Sequence, residues 1–359
     1  MCVLHNLWAA IKRFFIRKLS NPTLVTPMLF ITNRVLHEGP TSTVDGNLVL
    51  PRSVNFNLRN NQAEQSVYFC RRNNKDDYTE IGGTAFLSEL KNSKAQEILI
   101  YVHGFSNLPE PAIFPRVQEL QRLFDQKAPG YMVVVPVIWP CDSDDSQLKD
   151  YFDDQMAADQ SGMAFARMFQ KFLDWRDINS TIDNPCIKRI NILAHSMGNR
   201  VLRATFSSIV QYFLPQGMPL MFRNIFMAAP DIINEALEPG QEGQYIPPAA
   251  RNVVVYYASD DLAMRASKVA NLGNRMASRR LGHTGPEHMD RVSKNVYALD
   301  CDDFNTTYDP PTGHGYFASD RNGNPGILFD HMWRCIDMGR VPMNPSNVRT
   351  AILRRDWLE

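Results

Sequence analysis

The stretch that decides the fold is Ile190-Asn191-Ile192-Leu193-Ala194-His195-Ser196-Met197-Gly198-Asn199-Arg200-Val201-Leu202. A continuous apolar run of strand length leads into a small residue, a serine and a glycine, and then into apolar residues at helical spacing. This is the strand–turn–helix pattern of a nucleophile elbow, G-x-S-x-G, with Ala194 in the place of the first glycine. Small residues are required two before and two after the serine because the sharp turn brings those backbone positions against neighbouring structure. The competing reading is a plain strand–helix turn in which Ser196 only caps the helix, a common use of serine. The residues around it decide between the two.

A serine hydroxyl is a poor nucleophile at neutral pH and needs a base, an orienting acid and donors for the developing oxyanion. Upstream, Ile98–Val102 reads as a strand that ends in His103-Gly104-Phe105-Ser106-Asn107. The Phe105 N–H, together with the Met197 N–H after the serine, is the expected oxyanion hole. Downstream, Val253–Tyr257 reads as a strand followed by Ala258-Ser259-Asp260-Asp261-Leu262-Ala263-Met264, which puts two carboxylates at its carboxyl end. One orients the base, and one of the pair is expected to cap the helix that starts at Leu262. Asp231, in Ala228-Ala229-Pro230-Asp231, is a rival acid.

Four histidines follow these acids. His283 and His288 precede the last strand, and His331 lies in the helical run Ile327–Ile336 as a packed or surface residue. His314 sits in the turn-rich segment Asp309-Pro310-Pro311-Thr312-Gly313-His314-Gly315, after the last strand and between glycines that permit close approach to Ser196. It is the expected base. The plain alternative is a solvent-exposed loop histidine.

Outward from these motifs, the runs Met28–Thr32, Val67–Cys70, Met132–Val135, Ile225–Ala228 and Val296–Leu299 also read as strands. Helical patterns occupy Val117–Phe124, Ser161–Trp175, Asn199–Phe213 and Leu262–Ala277. Strands alternating with helices predict an α/β fold, a mostly parallel doubly wound sheet flanked by helices. Pro136 lacks the N–H of a central strand residue, so a bulge or an early end is expected there. No repeat, low-complexity tract or linker divides the chain. One domain over 28–335 is expected, with an N-terminal extension at 1–27 and a C-terminal tail at 336–359.

In order along the chain, Phe30-Ile31-Thr32-Asn33-Arg34, Tyr101-Val102-His103-Gly104-Phe105 and Trp139-Pro140 come first, then Tyr151, Asp154 and Ser161. The elbow, Ala229-Pro230-Asp231, Tyr257 with Asp261-Leu262-Ala263-Met264, and Arg280-Leu281-Gly282 follow. This succession resembles the α/β-hydrolase superfamily, and within it an uncharacterised bacterial family catalogued as a domain of unknown function. The resemblance implies Ser196 as nucleophile, His314 as base and Asp261 rather than Asp260 as acid. It also implies hydrolysis of an ester, thioester or amide without metal or organic cofactor, and it leaves open an acyltransferase or a non-catalytic scaffold on the same fold.

Composition narrows the alternatives. With 38 Lys plus Arg against 38 Asp plus Glu, no bulk field draws the chain to nucleic acid, and 44% hydrophobic residues exclude intrinsic disorder as the main state. Six dispersed cysteines without a C-x-x-C pair argue against a zinc cluster or a disulfide framework. There is no H-E-x-x-H, G-x-G-x-x-G or G-x-x-x-x-G-K-[ST]. The charges are nonetheless uneven. Asp142–Asp159 holds seven Asp against one Lys and reads as a helix start or as a flap over the site, and Ile232–Arg251 with its glycines and prolines reads as a second candidate flap. Residues 1–20 form a basic amphipathic pattern with Lys12, Arg13, Arg17 and Lys18 and no acid. It reads either as a helix packed on the protein's own body or as a peripheral contact with an anionic membrane. The expected setting is cytoplasmic, and the expected partner a small acyl substrate.

Overall fold

The structure, a computed structural model, describes residues 27–40, 43–44, 47–48, 50–141, 147–272, 279–342, 344, 346 and 348–358. Residues 1–26 and the amphipathic pattern at 1–20 therefore lie outside the described residues. The strands of the main sheet are β1 (Met28–Arg34), β2 (Arg52–Val54), β3 (Ala63–Asn74), β4 (Asp77–Glu80), β5 (Glu97–Val102) and β6 (Met132–Ile138). They continue with β7 (Arg189–His195), β8 (Phe222–Ala228), β9 (Ala250–Tyr257), β10 (Val296–Asp300) and β11 (Thr350–Ile352). The principal helices are α1 (Gly83–Asn92), α2 (Phe114–Lys127), α3 (Gln147–Asn179), α4 (Gly198–Tyr212), α5 (Leu262–Leu272) and α6 (Ile327–Met338).

The order across the sheet is β11-β10-β9-β8-β7-β5-β6-β1-β3-β4-β2. From β11 to β1 every pairing is parallel, whereas β3, β4 and β2 add an antiparallel edge. Strand residues feed the two faces alternately, as a period of two requires. In β5, Ile98 and Val102 pack with Phe86 of α1, Phe165 of α3 and Phe206 of α4. Leu99 and Tyr101 pack with Phe114 and Leu120 of α2 and Phe329 of α6. Two cores thus sandwich the sheet, which explains the near-continuous apolar runs of its central strands. Among the described residues no helix is long and apolar enough to cross a membrane.

Several sequence expectations need correction. Strand β6 neither bulges nor stops at Pro136, which stands in register with Tyr101. Its other neighbour, β1, is registered only from Val137 onward, so at Pro136 the strand is edge-like on that side, where proline is tolerated. The helix expected at 161–175 already runs from Gln147 among the described residues, so the part of the acidic stretch that is described belongs to it and not to a flap. Tyr151, Asp154, Ala158 and Ser161 lie on one buried face there, and the polar groups of Tyr151, Asp154 and Ser161 disguise the stripe. In Ile232–Arg251, Ile232, Leu237 and Ile246 are buried in the core. Helix α5 is described as far as Leu272, and the remainder of the pattern expected to 277 lies outside the described residues. Residue 335, where the domain was expected to end, falls within α6, and β11 beyond it pairs with β10.

Helices α3 and α4 cross closely at Gly162, where a Cβ would lie 2.7 Å from the backbone carbon and Cβ of Ala204. Gly162→Val is expected to force the helices apart and to cost about 1–3 kcal/mol, the usual range for overpacking. Urea unfolding checks it through a lower midpoint at unchanged slope; an unchanged midpoint would mean that the crossing is not constrained there.

Candidate active site

The elbow is built by backbone geometry. Ser196 has φ 51°, in the left-handed region that non-glycine residues rarely occupy. Three neighbouring amides hold it there. Its own N–H donates to Ala228 O at 2.9 Å, while the N–H groups of Asp231 and Asn199 donate to its carbonyl, each at 3.1 Å. The Asn199 side chain adds Nδ2 donations to Ala194 O at 2.9 Å and Ser196 O at 3.1 Å. The small-residue requirement has a direct cause. A Cβ on Gly198 would lie 2.5 Å from Val102 O, and Ala194 stands in register between Val102 and Met227.

The segment after β5 is fixed from behind. His103 Nε2 accepts the Trp139 N–H at 3.2 Å, and its Nδ1 then donates to Gly104 O at 2.9 Å. Trp139 Nε1 returns a bond to His103 O at 2.9 Å, and the two rings stack. Gly104 passes close to the elbow, where a Cβ would be 3.0 Å from Ser196 Cβ. This brings Phe105 to the cavity beside Ser196. The Met197 N–H, at the start of α4, meets no acceptor among the described residues.

His314 reaches the same cavity on a clamped loop. Asp309 Oδ2 accepts the His314 N–H at 2.8 Å and the Gly315 N–H at 2.6 Å, and Leu262 N–H donates to Thr312 O at 3.0 Å. His314 Nδ1 lies 2.7 Å from Asp261 Oδ2, and both side chains are buried. The other oxygen of Asp261 accepts the N–H groups of Ala263 at 2.9 Å and Met264 at 3.0 Å. One carboxylate thus caps α5 and holds the imidazole, two tasks that seemed to compete in the sequence. Asp260 instead accepts Asn305 Nδ2 at 2.5 Å, and Asn305 also donates to Gly313 O at 3.1 Å. Asp231 makes no bond to His314; its carboxylate accepts Tyr151 Oη at 2.9 Å and Ser267 Oγ at 2.5 Å, with Arg280 Nε at 3.3 Å. His331 is buried and bonded to Tyr256 Oη at 2.8 Å.

Ser196, His314, Phe105, Asn107, Tyr151, Asp231, Met264 and Ser267 are among the residues that line a cavity of about 30 Å³, room for one or two waters. No hydrogen bond joins the Ser196 hydroxyl to His314, a contact that often tightens only when substrate arrives. Burial pushes the His314 imidazole down, but the charge and hydrogen bond of Asp261 outweigh it and hold the ring above its ordinary value. His195, next to it, is held well below its ordinary value by burial and by His314. It lies 3.1 Å from the His314 carbonyl through Nε2, so the neutral ring donates there.

The sequence reading did not anticipate the buried Tyr151–Asp231–Ser267–Arg280 cluster as a unit. The available signal was the helical spacing of Tyr151, Asp154 and Ser161: Asp154 Oδ2 accepts the Ser106 N–H at 3.2 Å and Ser161 Oγ accepts Asn33 Nδ2 at 2.9 Å. Among the described residues no group of His, Cys, Asp and Glu could hold a metal ion.

Residues 81–325 match the profile of a family described as an alpha/beta hydrolase of unknown function. No curated protein matches the chain.

Burial pushes His103 and His331 down to about 3. Both are neutral in the folded chain while an unfolded chain protonates them, so stability is present above about pH 6.5 and falls as pH drops toward 3. Between about pH 6.5 and 5 the loss is on the order of 2 kcal/mol per imidazole. Urea midpoints measured at these two pH values check it, and equal midpoints would contradict it.

Proposed function

The chain belongs to this family of alpha/beta hydrolases of unknown function, and on that footing we propose that it is a serine hydrolase that cleaves a carboxylic ester, thioester or amide. Ser196 is the nucleophile, His314 the general base and acid, and Asp261 the residue that orients the imidazole. The observation that carries this reading is the buried 2.7 Å bond between His314 Nδ1 and Asp261, opening on the cavity that Ser196 lines. A carboxylate on Nδ1 keeps the proton there and leaves Nε2 as the basic nitrogen.

In the first step His314 Nε2 takes the Ser196 hydroxyl proton as Oγ bonds to the substrate carbonyl carbon. The negative charge that develops on the carbonyl oxygen is met by the Phe105 and Met197 N–H groups, the latter at a helix start where the dipole also favours an anion. Collapse breaks the bond to the leaving group, which receives the proton from Nε2. Water, deprotonated by the same nitrogen, then attacks the acyl-enzyme. The resulting carboxylic acid leaves and Oγ regains its proton.

Because His314 is held above its ordinary value, the rate on p-nitrophenyl acetate should fall as pH drops through a value above about 6.5. Ser196→Ala should lower turnover by roughly 10⁴ to 10⁶. A rate that is flat across this range, or retained by Ser196→Ala, would contradict the proposal.

A further inference from the structure

The amino ends of the parallel strands, opposite the candidate site, carry a second built cavity. Its volume is about 410 Å³. Six cations line it: Lys91, Arg176, Lys188, Arg189, Arg223 and Arg251. Of the acids in these segments, Glu97 is fully buried and already holds Arg189 and Arg223, Asp177 lies 3.7 Å from Arg176, and Asp174 and Asp183 are further neighbours along the chain. Lys91 and Lys188 are tethered to backbone carbonyls, Lys188 to Ser93 O at 2.6 Å, so their charges stay uncompensated. Arg251 is exposed and has neither ion pair nor hydrogen bond among the described residues. The apolar lining comes from Leu87, Leu90, Phe172 and Trp175. Trp175 is buried, and its indole N–H has no acceptor among the described residues, which leaves it open to a water or to a ligand oxygen.

The rim adds an observation of a different kind. Large apolar side chains exposed on a surface are ordinary when scattered, but four of them stand in the stretches of chain that supply the lining of this cavity. Ile178, Ile182, Ile187 and Leu220 are 76%, 97%, 77% and 69% exposed. Each belongs to a segment that lines the cavity: Ile178 follows Arg176, Ile182 and Ile187 flank Cys186, and Leu220 precedes Met221.

We propose that this end of the sheet docks on an anionic phospholipid membrane, with the isoleucines and Leu220 entering the interface and a lipid phosphate taken by the cationic cavity and the Trp175 N–H. Cations gain from an anionic surface, and apolar tips gain from leaving water, so the two terms add. A protein interface is depleted of charge at its core, whereas six cations stand at the centre of this one. Residues 1–20 are a poor occupant, since their four cations would face six more. Docked this way, the Ser196 cavity faces away from the bilayer and draws its substrate from water. The inference stands apart from the catalytic reading.

The test is flotation of the full chain with vesicles of phosphatidylcholine alone and with a third phosphatidylserine. Binding is expected only to the anionic vesicles and should be lost between about 0.1 and 0.5 M salt. Arg176→Ala with Arg251→Ala should weaken it about thirtyfold, at ~1 kcal/mol per cation. Ile182→Ser with Ile187→Ser, both exposed and outside the core, should weaken it at least about tenfold. All variants should hydrolyse p-nitrophenyl acetate as the parent does, which keeps this test separate from that of Ser196. Variants that bind as the parent does, with deletion of residues 1–20 alone abolishing binding, would overturn the proposal. So would failure of the full chain to bind, or capture of monomeric dodecyl phosphate without vesicle binding.

Discussion

Everything at the candidate site is referred to one backbone constraint, the left-handed conformation of Ser196 at the end of β7. A non-glycine residue in this region costs of order 1–3 kcal/mol and persists only where its surroundings over-determine it. The surroundings here are the neighbouring strand and the turn beyond it. The Ser196 N–H is fixed to Ala228 at the end of β8, its carbonyl is held by Asp231 beyond that strand, and Gly198 sits against the Val102 carbonyl at the end of β5. The parallel sheet thus aligns the ends of β5, β7 and β8 so that a strained serine, a helix start and the Gly104 turn converge.

The polar groups behind this convergence are mutually satisfied. His103 and Trp139 exchange two hydrogen bonds, and Asp309 clamps the loop that carries His314. Asp261 anchors α5 with one oxygen and the imidazole with the other. Such sharing makes the site rigid, because moving His314 disturbs a helix cap. It also fixes which nitrogen of His314 faces the cavity. The Tyr151–Asp231–Ser267–Arg280 cluster serves as the opposite wall, joining α3 and α5 to the turn after β8.

How much of this was legible in the sequence depended on whether a residue's task is local. The Ser196 elbow and the glycine-flanked His314 could be read because the signals lie within a few residues of each other. The central strands could be read because both of their faces are buried. The ends of β3 could not: Glu64-Gln65-Ser66 and Arg71-Arg72 are polar, and only pairing with β1 and β4 makes them strand. The first described turns of α3 were hidden because Tyr151 and Asp154 are buried through partners 80 and 48 positions away. The double use of Asp261 was hidden for a different reason, since capping and orienting look like alternatives until the two oxygens are seen to point separately.

The central claim is that Ser196 is an activated nucleophile, and a mechanism-based probe tests it most directly. The protein is treated with a fluorophosphonate, and its intact mass and then its peptides are measured. The account predicts one adduct, on Ser196, formed by the parent and absent from Ser196→Ala and from His314→Ala. No adduct on the folded parent, or an adduct that survives Ser196→Ala, would contradict it.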